Sequence, residues 1–147
     1  MLKRKKKIKK PKAMNSNETD LPSQIKKLTD GLYYISETDA EILPFVGKKS
    51  QAVTSEEIKN QIESADASQI EERDFTEFFA RLTEIQDWFG EEEKATAQKF
   101  SDLKSLLEKN LKDLKVFKVG KIQIDIYVVG LDAASNLMGI KTKAVET

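Results

Sequence analysis

Residues 122–130 read IQIDIYVVG, residues 131–139 read LDAASNLMG, and residues 140–147 read IKTKAVET. The first and last runs alternate side-chain character with a period of two, the signature of paired β-strands. In the last run Ile140, Thr142, Ala144 and Glu146 fall on one side, and Lys141, Lys143, Val145 and Thr147 on the other. Chain ends usually fray and carry polar filler. A strand that keeps its pattern up to Thr147 is expected to deliver a terminal hydroxyl and carboxylate to a fixed place.

Upstream, Val116-Phe117-Lys118-Val119 and the strand at Ile122 flank Gly120-Lys121, a hairpin turn with glycine where positive φ is needed. The connection over 131–138 is expected to be a loop. A long helix is predicted from Glu91 to about Asn110. Its apolar seam is Phe100, Leu103, Leu107, Leu111 and Leu114, with acids at its start and Lys109 and Lys112 near its end. A further helix is predicted over Asp74–Leu82, whose apolar residues 75, 78, 79 and 82 form a core-facing stripe. Thr54-Ser55-Glu56-Glu57 opens another, with a hydroxyl cap and acids at the positive end of the helix dipole. Residues 64–72 are polar and carry no readable period.

Nearer the N-terminus, Pro22 starts a short helix that Asp30-Gly31 closes. Strands are predicted at Leu32–Ser36 and Ile42–Val46, separated by the acidic connection 37–40 and followed by a loop over 47–50. Strands with helices before and between them predict an α/β layered domain with a largely antiparallel sheet.

At 147 residues the chain suits one domain with a real core. Its formal charge of zero hides an asymmetry. Residues 1–12 hold eight basic side chains and no acid, whereas residues 13–147 hold 17 bases and 25 acids. Between Glu37 and Glu93 there are 16 acids and 5 bases. The expected organisation is a basic, disordered arm over residues 1–20 and a folded domain over 21–147, acidic in one half. The arm reads either as a solvated tail, with Met14 as an alternative start, or as a polyphosphate-binding segment. The acidic half suits a basic partner surface.

Cysteine and histidine are both absent. Disulfides, thiolate metal sites and histidine-based catalytic sets are therefore excluded, and no cofactor or metal of the chain's own is expected. No paired acid/base constellation stands out either, so the chain reads as a non-enzyme. No segment approaches the ~20 apolar residues of a membrane span. The basic start lacks the apolar middle of a secretory signal, which makes cytoplasm the expected compartment.

Three places invite a functional reading. Trp88, the single tryptophan, is either a core anchor between two helices or an exposed aromatic in an acidic turn, with Ile85 and Phe89 as inward anchors. Glu37, just beyond a strand, is either a solvated loop acid or a phosphate substitute that accepts hydrogen bonds from a partner's Arg or Lys. Glu91-Glu92-Glu93 resembles a metal cluster only superficially. Consecutive helical residues point about 100° apart and cannot converge on one ion, so compensation of the helix dipole explains them.

Several motifs occur in an ordered series. They are Asp30-Gly31-Leu32 with Ser36-Glu37, Asp74-Phe75 with Phe78-Phe79, Gln86-Asp87-Trp88, Lys99-Phe100, Asn110-Leu111-Lys112, Asp125 with Tyr127-Val128, Asn136-Leu137 with Gly139-Ile140, and Val145-Glu146-Thr147. In this series, over Ile25–Glu37 and Asp74–Thr147, the chain resembles the nuclease A inhibitor family. The resemblance implies an α/β/α sandwich of the pathogenesis-related-protein-1-like type that plugs the active site of a sugar-non-specific ββα-metal nuclease. It implies that Thr147 reaches toward that enzyme's Mg²⁺ through a water, that Glu37 contacts active-site groups, and that Gln86, Asp87 and Trp88 form a second contact cluster. The alternative reading is a nucleic-acid-associated regulatory module that uses the lysine-rich arm.

Overall fold

A computed structural model describes residues 20–62 and 69–147. Helix α1 spans Leu21–Thr29, capped by the Asp20 side chain, which accepts from Ser23 N at 3.0 Å. A two-stranded hairpin follows, β1 (Tyr33–Ile35) and β2 (Asp39–Glu41), paired antiparallel. Then come β3 (Leu43–Lys49), α2 (Ser55–Gln61), β4 (Ile70–Arg73), α3 (Phe75–Thr83) and α4 (Glu91–Asn110). The chain closes with β5 (Lys112–Val119), β6 (Gln123–Leu131) and β7 (Asn136–Val145). Five strands form an antiparallel sheet in the order β3-β7-β6-β5-β4.

Alternation along the central strands sorts side chains to two faces. Ile124, Ile126 and Val128 of β6 join Ile140 and Ala144 of β7 in a cluster with Ile25 of α1, Phe79 of α3 and Leu103 and Leu107 of α4. Tyr127 and Val129, the intervening residues of β6, join Phe117, Leu137 and Phe45 in a second cluster closed by Val53 and by Ile58 of α2. Each fully buried side chain of this size is worth about 1.5–3 kcal/mol. The sheet is thus buried on both faces, which is why β6 reads as a nearly unbroken apolar run.

The mixed α/β class and the antiparallel sheet are as expected, and so are the helices at 21–29, 55–61, 75–83 and 91–110. The predicted hydroxyl cap holds, with Thr54 accepting from Glu57 N at 3.2 Å, and Asp74 caps α3 in the same way, accepting from Glu77 N at 2.9 Å. At α4, Glu93 accepts the Gly90 N–H at 2.9 Å, so one acid of the triplet closes the helix start.

Five expectations need correction. The helical seam does not extend to Leu111 and Leu114. Leu111 is the C-cap of α4 and Leu114 lies in β5. Asp113 adopts a positive φ of 57°, and the β5–β6 register shifts between Lys112 and Lys115, a bulge that turns the chain from helix into sheet. The expected loop over 47–50 is strand as far as Lys49, with a register shift between Val46 and Lys49. There the Gln61 side chain accepts from Lys48 N at 2.6 Å and donates to Lys48 O at 3.1 Å. The acidic connection after Glu37 contains β2, and the 131–138 loop shrinks to a turn in which Asp132 accepts from Ala134 N and Asn136 N, each at 2.9 Å. Finally, the C-terminal strand stops at Val145, and the last two residues are held by other means. The expected arm over residues 1–20 lies outside the described residues apart from Asp20.

Candidate functional site

The β1–β2 hairpin presents Glu37 at its turn, and four contacts fix its position. Tyr34 stacks on Phe78 of α3 with ring centroids 5.7 Å apart and planes 7° from parallel. Thr142 of β7 donates its hydroxyl to Glu41 O at 2.8 Å. Val145 N donates to Ser36 Oγ at 3.0 Å, and Glu37 N to Val145 O at 3.3 Å. The hairpin is therefore clamped between α3 and the last strand, and its turn is set beside the chain end.

The final two residues are held individually. Glu146 N donates to Ile122 O at 2.9 Å, and the Glu146 carboxylate meets Lys118 Nζ at 3.0 Å. Thr147 N donates to Glu37 Oε2 at 2.7 Å, while its hydroxyl lies 3.0 Å from Oε1 and 2.9 Å from Oε2. The Thr147 backbone N–H, and next its hydroxyl, hold the Glu37 carboxyl below the usual glutamate range; slight desolvation opposes them. Glu37 is thus ionised at neutral pH and acts as a receptor for the tail.

Gln86, Asp87 and Trp88 occupy the connection between α3 and α4, where Phe89 N donates to Gln86 O at 3.1 Å. Trp88 is 74% exposed and packs edge-on against half-buried Phe89 at 4.7 Å between ring centroids. The core-anchor reading of Trp88 is excluded. Ile85, expected as an inward anchor, is itself 57% exposed. Of the three large apolar side chains in the connection between Thr83 and Glu91, only Phe89 turns in.

Glu37 and Thr147 are brought into direct contact, whereas Gln86, Asp87 and Trp88 share no hydrogen bond with them among the described residues. A shallow groove is lined by Ile35 of the hairpin, Arg81 and Leu82 of α3, and Phe89 of the connection. Ile35 is 71% exposed although it belongs to a strand. Sequence reasoning missed it, and the signal was its place two residues before Glu37 in a strand too short to cover it. Among the described residues no group of three or more acids gathers to hold a metal ion, and no helix is long and apolar enough to cross a membrane.

Compared with known protein families, residues 19–147 match nuclease A inhibitor-like protein. The chain belongs to the nuclease A inhibitor-like family. The bounds of the match enclose both stretches that carry the resemblance in individual motifs. No curated protein matches the chain.

Proposed function

We propose that this protein is a stoichiometric inhibitor that occupies the active site of a sugar-non-specific, magnesium-dependent ββα-metal nuclease. It makes and breaks no covalent bond. The observation that carries the reading is the tail: Thr147, two residues past the end of β7, is gripped by Glu37 through both its N–H and its hydroxyl. A residue held so tightly on an exposed surface is pre-organised for a partner, which lowers the ordering cost of binding.

In this reading the Thr147 hydroxyl approaches the partner's Mg²⁺ through a bridging water, since Mg²⁺ keeps several waters and takes oxygen ligands. Glu37 fixes the tail and adds negative charge facing the enzyme's basic groups. Gln86, Asp87 and Trp88 make the second contact, with Trp88 as a solvent-exposed aromatic anchor. The excess of acids between Glu37 and Glu93 favours encounter with a cleft built to bind nucleic-acid phosphate. The burial of both sheet faces supports an α/β/α sandwich of the pathogenesis-related-protein-1-like kind as the scaffold. Protection of the producing cell's own nucleic acids places the protein in the cytoplasm.

The test is a titration of the purified chain into a ββα-metal nuclease at fixed Mg²⁺, following DNA digestion. Activity is expected to fall linearly to an end point at one inhibitor per enzyme. Undiminished digestion at excess protein, together with salt-dependent binding to plain duplex DNA that is lost on deleting residues 1–13, would replace this reading with the nucleic-acid-associated module.

A further inference from the structure

Two depressions adjoin along α3. One, of about 400 Å³, runs between the β1–β2 hairpin and α3 and reaches Arg73 and Lys118. The other, of about 310 Å³, runs toward Phe89 and the start of α4. Ile35, Arg81 and Leu82 line both, so Arg81 stands where the depressions meet.

The cations of this surface differ in their partners. Arg73 bonds Glu71 at 2.8 Å, and Lys118 bonds Glu146 at 3.0 Å. The Arg81 guanidinium has no ion pair or hydrogen bond among the described residues, although Glu77 and Glu84 lie near it in sequence. Its place in the last turn of α3 offsets the helix dipole, and any cation would serve that end. The dipole does not require an unpaired guanidinium at the junction of two grooves.

We propose that Arg81 is a docking anchor for an acidic side chain of the nuclease partner, seated in the groove between α3 and the β1–β2 hairpin. The inference rests on the nuclease-inhibitor reading and extends its contact surface onto α3. Exposed Ile35 and the Leu82 side chain provide apolar walls that exclude water, and the planar guanidinium pairs with a carboxylate through two parallel hydrogen bonds. A nucleic-acid strand is a poor occupant. Glu77, Glu84, Glu92 and Glu93 line the same two depressions, and they repel a polyanion while leaving room for one carboxylate. The surface would then carry opposite charges in register: acids toward the enzyme's basic cleft, and one arginine toward an acid on its rim.

The experiment measures affinity for a ββα-metal nuclease by calorimetry and by digestion assay, using the native chain and the variants Arg81→Met, Arg81→Lys and Arg81→Glu. Arg81→Met keeps the aliphatic stem and is expected to bind about tenfold more weakly, with a shallower salt dependence. Arg81→Lys should recover part of the loss, and Arg81→Glu should be the weakest. Changing the facing acid of the nuclease to Lys should restore binding of Arg81→Glu. Native affinity in Arg81→Met, or Arg81→Glu binding as well as Arg81→Met, overturns the proposal while leaving the inhibitor reading intact. Failure of the native chain to bind the nuclease overturns both.

Discussion

Glu37 and Thr147 are 110 positions apart in sequence, yet the Glu37 carboxylate accepts both the N–H and the hydroxyl of Thr147 at 2.7–3.0 Å. The contact depends on the whole sheet. β7 must pair with β6 down to Val145, and the β1–β2 hairpin must be pinned by Ser36 and Tyr34 before the two residues can meet. A surface hydrogen bond of this kind contributes little to global stability. Its consequence is the position of the tail.

That contact predicts a pH dependence whose sign follows from linkage. The Glu37 carboxyl is held below its ordinary value by Thr147, so the latch is complete above the usual glutamate range and is lost as pH falls through the lowered folded-state value. The Thr147 amide resonance should titrate with a midpoint below that of an unpartnered glutamate, and Glu37→Gln should abolish the transition. A Thr147 amide that follows an ordinary glutamate midpoint would show that the latch does not form in solution. Glu37→Gln should also weaken nuclease inhibition while thermal stability stays near that of the native chain.

Trp88 offers a separate readout. With 74% of its surface exposed and its main contact Phe89, it contributes little to folding. Trp88→Ala should shift unfolding by no more than about 0.5 kcal/mol and weaken a nuclease complex by ~2–4 kcal/mol. Denaturant unfolding and calorimetric titration check the two halves. A variant that loses stability but binds normally would remove Trp88 from the interface.

What the sequence revealed, and what it hid, follows from how each element is stabilised. α3 and α4 bury one stripe each against the sheet, so residues such as Phe75, Phe79, Phe100 and Leu103 announce them. β7 and the start of β6 were legible because inward apolar and outward polar residues alternate along them, and the rest of β6 because it is apolar on both faces. β2 and β4 were not: Asp39–Glu41 and Ile70–Arg73 are largely exposed, and backbone pairing rather than burial holds them. The end of α4 at Asn110 was legible, but its apolar seam was carried too far, because Leu111 and Leu114 continue the helical spacing while the backbone is already extended at Leu111. At the site, Glu37, Trp88 and Thr147 were readable as residues. That Glu37 spends its carboxylate on Thr147 was not, because pairing across 110 residues is a property of the topology.

Gly139 tests the scaffold beneath the tail. It pairs with Phe45 of β3 on one side and Val129 of β6 on the other. A Cβ there would collide with the backbone carbonyl of Val128 and lie 3.0 Å from the Val129 Cα. Backbone in the centre of a sheet cannot yield as a side chain can. Gly139→Ala should therefore cost about 3 kcal/mol and lower the melting temperature by about 10 °C. Gly31→Ala, where an added Cβ meets nothing within 4 Å but φ is +76°, should cost only about 1 kcal/mol. Equal losses at the two positions would contradict the packing described for β7.

Thr147 separates a working tail from a mere strand end. Strand pairing stops at Val145, and Glu146 is already secured by Ile122 and Lys118. Removing Thr147 therefore takes away nothing that the sheet needs. It does remove the hydroxyl and draws the end of the chain back by about one strand step, ~3.3 Å. Metal and hydrogen-bond geometry are steep functions of distance, so a shift of that size is decisive at a magnesium-linked water. A short extension beyond Thr147 acts differently, by placing new backbone where the partner's metal and waters must fit. Thr147→Ser keeps the hydroxyl and the Glu37 contact. The expected order of potency in a nuclease digestion assay is native, then Thr147→Ser close behind, with the shortened and extended forms weaker by about tenfold or more. All four should unfold at nearly the same temperature. Equal potency for all four would mean that Thr147 only finishes the surface of the sheet, and the active-site plug would have to be abandoned.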